Sequence, residues 1–310
     1  MAIVLITGGT GLVGKALGQA LVEKGYSVII LTRNAATKKE ESRSANFNYA
    51  EWNIEKKSID KDAVEAADYI IHLAGAGVAD KRWSKKRKQE IIDSRVKSSE
   101  LIIESLKTIP NKVKAVVSAS AIGWYGPDPA IPNGKPFVET DPADNAFLGY
   151  TCKLWEESIE PVISLGKRLV KLRTGIVLSK DGGALTEFKK PLKFGVAAIL
   201  GNGKQIISWI HNDDLVKTYI DAIENENLNG SYNAVAPNPV SNKELTVQLA
   251  KIKNRKKFIA MHVPSFVLKA ALGEMSIEVL KSATVSAEKI LQTGFKFTYP
   301  TIAEALKASI

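Results

Sequence analysis

Of the 310 residues, 45% are apolar and 25% charged, and Cys152 is the only cysteine, which excludes a disordered chain, a collagen-like repeat and a disulfide scaffold. Lysine and arginine number 43 against 33 acidic residues, a formal charge of +10 that favours anionic partners without choosing among phosphates, nucleic acid and membrane headgroups, and that a lysine-rich solvated surface explains as well. No stretch reaches the about 18–20 continuous apolar residues of a membrane span, and the first residues lack the features of a signal peptide, so the expectation is a cytoplasmic protein with a free thiol. In chain order, residues 2–7 are a β-branched run that predicts a first strand. Gly8-Gly9-Thr10-Gly11-Leu12-Val13-Gly14 follows, then a helical pattern with Leu17, Ala20 and Leu21 on one face, ended by Gly25. A second strand is expected over 28–31, a polar loop over 34–46, and a third strand over 68–73, closed by Ala74-Gly75-Ala76-Gly77. Ile91, Ile92, Val96, Leu101, Ile102 and Leu106 mark a long helix over 86–107. A fourth strand over 113–118, a Gly-, Pro- and Asp-rich functional loop over 120–145, a partly helical stretch over 147–165 and a fifth strand over 169–172 complete the alternation.

Strands that are nearly continuous apolar runs, alternating with helices, predict an α/β fold: a Rossmann-type doubly wound parallel sheet with right-handed crossovers. After residue 180 the pattern turns irregular, and from 262 to 308 it is mostly helical. The expected organisation is a dinucleotide-binding domain over 1–180, its sheet completed by parts of 205–235. A substrate-pocket region over 181–261 and a smaller helical C-terminal substrate or lid region over 262–308 follow.

Gly8, Gly11 and Gly14 stand between a predicted strand and a predicted helix, the context that a dinucleotide-binding turn requires. The first glycine permits the tight turn, Gly11 lets backbone approach a pyrophosphate, and Gly14 lets helix and strand pack closely. The backbone of Thr10, Leu12 and Val13 then presents N–H groups to the anion at a helix N-terminus. At the end of the second strand the chain carries Thr32 and Arg33, with no carboxylate before Glu40. A guanidinium suits a ribose 2′-phosphate, so NADP is favoured over NAD; the alternative is that Arg33 merely solvates a loop.

Thr7-Gly-Gly-Thr-Gly-Leu-Val-Gly14, Ile70-Ile-His-Leu-Ala-Gly75 and Ser118-Ala-Ser-Ala-Ile-Gly-Trp-Tyr-Gly126 together resemble the extended, epimerase-like branch of the short-chain dehydrogenase/reductase superfamily. A closer resemblance covers nearly the whole chain and is to the SulA-homologous epimerase family proteins, atypical members with a C-terminal domain of unknown function. It rests on Lys81-Arg82-Trp83, Asp93-Ser94-Arg95, Trp155-Glu156, Arg173-Thr174-Gly175, Ser208-Trp209-Ile210-His211 and a tail running from Val263-Pro264 through Gly273-Glu274-Met275, Gly294-Phe295 and Tyr299-Pro300. The resemblance implies further NADP contacts at Leu73, Ala74 and Gly75, at Glu90 and Arg95 on the following helix, at Ser118, and at Thr174 and Val177 towards the nicotinamide end.

It also implies a catalytic tyrosine with a lysine four residues later, sharing a helix face. None of the eight tyrosines is followed by lysine at that spacing. Tyr150 and Lys153, three apart, can still share a face and form a degenerate dyad; the alternative is that both are ordinary helix residues. Ser120 stands near the place of the superfamily's hydrogen-bonding serine, and Tyr125 is a candidate for lining the pocket. Cys152 is expected to be a buried structural thiol, as in a subgroup that the resemblance describes with a cysteine and no tyrosine here. His72 is expected in the core, and Asp213 or Asp214 at a helix start. Three scattered histidines and one cysteine offer no metal spacing.

Two functions follow. One is an NADP-dependent oxidoreductase or epimerase acting on a small carbonyl or nucleotide-linked substrate. The other is a non-catalytic NADP(H)-binding regulator, with a link to cell division by analogy alone. Nucleic-acid binding rests only on charge and the run 81–88, which lacks a recognition motif, so neither nucleic acid nor a membrane is an expected partner.

Overall fold

Strand and helix alternate through the first half of the computed structural model, which describes residues 1–35, 37, 46–254 and 257–310. Glu40, the first carboxylate after Arg33, and most of the loop expected over 34–46 lie outside the described residues. The strands are β1 (Ile3–Thr7), β2 (Ser27–Thr32), β3 (Phe47–Asn53), β4 (Ser58–Ile59), β5 (Tyr69–His72), β6 (Ala115–Ala121), β7 (Arg168–Thr174), β8 (Ile176–Ser179), β9 (Gly182–Gly183), β10 (Val196–Leu200), β11 (Ile206–Ile207), β12 (Trp209–His211), β13 (Gly230–Ala234), β14 (Val240–Ser241) and β15 (Ile259–Val263). The helices are α1 (Leu12–Glu23), α2 (Lys61–Ala66), α3 (Lys85–Thr108), α4 (Phe147–Ile159), α5 (Ala184–Leu192), α6 (Asn212–Glu224), α7 (Asn242–Asn254), α8 (Ser265–Leu272), α9 (Ser276–Leu280), α10 (Glu288–Gln292) and α11 (Ile302–Ala308).

An eight-stranded sheet runs β13-β7-β6-β5-β1-β2-β3-β4, parallel throughout except for the β3–β4 pair. This is the doubly wound α/β architecture expected from the alternation. Val4, Ile6, Val28, Ile30, Val117 and Val170 pack with α1 and α6 on one face. Leu5, Leu31, Ile70, Val116 and Leu169 pack with α2 and α3 on the other. Burial on both sides explains why these strands read as continuous apolar runs. β3 was not anticipated, because its polar Asn48 and Glu51 are exposed while Ala50 and Trp52 are buried, and the mixed pattern reads as loop.

The order reverses between β1 and β5, the switch point outside which open α/β sheets bind ligands. A smaller core of Leu178, Leu185, Trp209, Leu245, Leu249, Ile302 and Leu306 joins α5, α7 and α11 beneath the three-stranded β12-β8-β9 sheet. The tail is helical in pieces, with an extended run between Leu280 and Glu288. No helix among the described residues is long and apolar enough to cross a membrane.

Candidate functional site

The β1–α1 turn is closed by glycine. Gly8 has φ +69, where a Cβ would lie 2.8 Å from the carbonyl carbon of Leu73. A Cβ on Gly14 would meet Gly8 O and Gly9 Cα, both at 2.5 Å. Gly11 caps α1 without a side chain, its N–H donates to Gly8 O at 3.0 Å, and a Cβ there would meet only that oxygen. No acidic residue lies in the first turn of α1. The N–H groups of Leu12, Val13 and Gly14 therefore have no acceptor inside the helix, and no carboxylate on that turn competes for an anion. Thr10, Gly11 and Arg33 are exposed, and Thr32 Oγ1 accepts from Asn34 N at 3.4 Å.

The neighbouring turn is built on His72. Thr7 Oγ1 accepts from Leu73 N at 3.1 Å and Ala74 N at 3.2 Å, so its hydroxyl proton goes to His72 Nδ1, 2.7 Å away. Ser98 and Ser99 both donate to Arg95 O, which leaves their oxygens to accept from His72 Nε2 at 3.2 Å. Burial drives the His72 pKa down to about 3, so the ring is neutral. Beyond it, Gly75 is exposed and Ala76 N donates to Ser94 Oγ at 2.9 Å.

Arg95 is 9% exposed and stacks on Trp155 at 4.8 Å. Its Nη1 donates to the carbonyls of Ala76 and Ile91 at 3.1 and 2.9 Å. Its guanidinium carbon would lie 3.1 Å from a Cβ on Gly75. Among the described residues no carboxylate pairs with it, and burial lowers its pKa. Glu90 turns to Arg87 Nη1 at 2.8 Å, Ser118 is buried within β6, and Thr174 and Val177 are half-buried at the end of β7 and in β8.

Ser120 and Tyr125 meet in a buried network. Ser120 Oγ donates to Glu156 Oε1 at 2.7 Å. Arg173 forks onto the same carboxylate, Nε to Oε1 at 2.8 Å and Nη2 to Oε2 at 3.1 Å, and Ser231 Oγ donates to Oε2 at 3.2 Å. Arg173 Nη1 donates to Tyr125 OH at 3.1 Å, and that hydroxyl donates to Asn233 Oδ1 at 2.7 Å. The arginine lies 3.6 Å over Trp124. Burial pushes the Tyr125 phenol up to about 12 against the pull of Arg173, so it stays protonated at neutral pH.

Tyr150 and Lys153 lie elsewhere: Tyr150 is 49% exposed, and Lys153 faces Glu157 at 3.9 Å on the solvent side of α4. Cys152 is buried, and desolvation raises its thiol to about 12, as suits a structural thiol. His211 caps α6, its Nδ1 accepting from Asp213 N at 3.2 Å. Among the described residues no group of three or more His, Cys, Asp or Glu could hold a metal ion. Glu156 and Arg173 stand in the sequence marks with no role assigned; 17 residues apart, one on α4 and the other on β7, they are brought together by the fold.

Residues 4–158 match the model of the NAD dependent epimerase/dehydratase family, and 263–309 match a domain of unknown function. The chain is 34% identical over 308 residues to the epimerase family protein YfhF of Bacillus subtilis, covering 99% of this chain and 97% of that one. The chain belongs to the epimerase family. It is also 36% identical over 304 residues to an epimerase family protein of Staphylococcus saprophyticus, covering 98% and 97% of the two chains. Among solved structures, the human epimerase family protein SDR39U1 with NADPH superposes with a TM-score of 0.84 at 27% identity, covering 98% of each chain. UDP-glucuronic acid 4-epimerase of Bacillus cereus shares the fold, with a TM-score of 0.79 at 19% identity, covering 99% of this chain and 97% of that one. A nucleotide suits this turn: exposed Gly11 puts no side chain between the N-terminus of α1 and an approaching pyrophosphate.

Proposed function

We propose that the chain binds NADPH along the carboxyl edge of its sheet and performs oxidoreductase or epimerase-type chemistry on a small carbonyl or nucleotide-linked substrate. The carrying observation is the β1–α1 turn, with its glycine packing and uncompeted helix N-terminus. In this reading the backbone of Gly8, Thr10, Gly11, Leu12, Val13 and Gly14 holds the pyrophosphate. Thr32 and Arg33 receive the adenosine ribose and its 2′-phosphate. Leu73, Ala74 and Gly75 line the middle of the cleft with Glu90, Arg95 and Ser118, and Thr174 and Val177 border the far end. Bound NADPH supplies a hydride at its nicotinamide ring. The NADPH of the human neighbour supports the 2′-phosphate preference, although other neighbours hold NAD.

A second reading is favoured by one observation. Ser120 is engaged by Glu156, Tyr125 is protonated and enclosed, and Tyr150 and Lys153 face solvent. A protein that holds NADPH without turning it over, the regulatory role a SulA-like group would carry, needs none of them free.

Titration of Arg33→Asp with NADPH and NADH tests the cofactor assignment. Loss of a charged hydrogen bond to phosphate predicts NADPH affinity lower by about tenfold or more, with NADH affinity kept. Equal responses of the two nucleotides would remove the 2′-phosphate role of Arg33. Consumption of NADPH across a panel of carbonyl compounds separates enzyme from regulator.

A further inference from the structure

The tail is pinned on both sides of one short stretch. Ahead of it, Arg82 Nη2 donates to Ala270 O and Lys88 pairs with Glu274. After it, Asp128 N donates to Ser282 O at 2.8 Å. The Asp128 carboxylate accepts from Ser282 Oγ at 2.7 Å, Thr284 N at 2.9 Å and Thr284 Oγ1 at 2.8 Å. Ile206 N donates to Ser282 Oγ at 2.8 Å.

Between these anchors stand Glu278 and Lys281, with Lys281 Nζ 2.6 Å from Glu278 Oε2 and side chains only 12% (Lys281) and 19% (Glu278) exposed. A helix-surface pair at this spacing is ordinarily solvated; this one is turned inward. Lys281 Nζ also lies 3.3 Å from Tyr125 O, just past the carboxyl end of β6. Its charge reaches the Cys152 thiol, which burial raises foremost and Arg95 and Lys281 pull back. At this place α4 offers no ammonium of its own, since its inward residue is the buried Cys152 and Lys153 is on the outer face.

The sheet order says which part of a nucleotide would come here. With the pyrophosphate at β1 and the 2′-phosphate at β2, the other half of the molecule extends over β5 and β6. An ammonium beside a carboxylate matches a vicinal diol, one hydroxyl oxygen accepting from N–H and the neighbouring hydroxyl donating to the carboxylate. We propose that Lys281 and Glu278 clamp the diol of the ribose on the nicotinamide half, so that the C-terminal domain of unknown function completes the nucleotide site. This rests on the NADPH reading above.

The test titrates the full chain, as wild type, Lys281→Met and Glu278→Gln, with NADPH and with adenosine 2′,5′-bisphosphate, which carries the adenosine half alone. Lys281→Met is expected to weaken NADPH by about tenfold, the loss of one charged hydrogen bond, while the bisphosphate stays within about twofold. Glu278→Gln shifts NADPH in the same direction, and it carries the test if Lys281→Met does not fold. NADPH affinity equal to wild type in both variants overturns the clamp, and so does an equal loss of both ligands. A wild-type chain that binds neither ligand overturns the nucleotide reading itself, a result distinct from the failure of the clamp.

Discussion

His72 has every ring contact satisfied while uncharged: it accepts from Thr7 at Nδ1 and gives its Nε2 proton to two serines already committed to Arg95 O. A second proton would leave Nδ1–H facing a hydroxyl whose lone pairs already serve Leu73 N and Ala74 N. With the folded pKa lowered to about 3 and the unfolded value near the ordinary 6.5, the unfolded chain binds a proton first as pH falls. The contribution of His72 is therefore intact above the unfolded value and is lost between there and pH 3, by up to about 1.4 kcal/mol per pH unit. Urea midpoints from pH 7 to 4 should fall less steeply for His72→Gln than for wild type; identical slopes would contradict the assignment. The core placement of His72 was legible because it interrupts an apolar strand. The Ser120–Glu156–Arg173–Tyr125 network was not, since each partner comes from a different element and no local pattern links them.

The β1–α1 turn is the element on which nucleotide binding depends, and its glycines differ in what they do. Gly11 leaves room outside the turn, whereas Gly14 has backbone on its inner side: a Cβ there meets Gly8 O and Gly9 Cα at 2.5 Å, and neither can swing away as a side chain would. Gly14→Ala must push α1 off β1, an overpacking that costs about 1–3 kcal/mol, and NADPH affinity should fall with it. A denaturation midpoint equal to wild type would show that the turn has slack. This element was legible from glycine spacing and position, as were β1, β2, β5, β6 and β7, because burial on both faces gives an unbroken apolar signal. β3 was not, because towards the edge of the sheet its residues alternate between Trp52 in the core and Glu51 in water. The start of α3 was legible within a residue through its apolar spacing, and its cap Ser84 accepts from Arg87 N at 3.1 Å.

At the scale of the whole molecule, the tail from 262 docks on the body of its own chain, and its last segment is held by a fully buried carboxylate. Asp214, in the first turn of α6, accepts from Thr298 N at 2.7 Å and Tyr299 N at 2.9 Å, while His211 at the cap lies 4.1 Å from the Tyr299 ring. The helix N-terminus favours that charge, so one residue satisfies α6 and the tail together. Asp214→Ala removes both acceptors and leaves two backbone N–H groups without a partner, at a cost of about 3 kcal/mol. Asp214→Asn retains one acceptor and should lie between the two. Because Lys88–Glu274 and the Asp128 contacts tie the same tail to α3 and to the segment after β6, its loosening should be felt by the whole fold. Urea unfolding of Asp214→Ala should remain one transition, shifted to lower denaturant, with trypsin cleavage near Lys289 and Lys296 rising only as the body opens. If cleavage there rises while the body unfolds at the wild-type midpoint, the tail is a separately folding module, and the inward placement of Lys281 would have to be maintained by the Asp128 contacts alone.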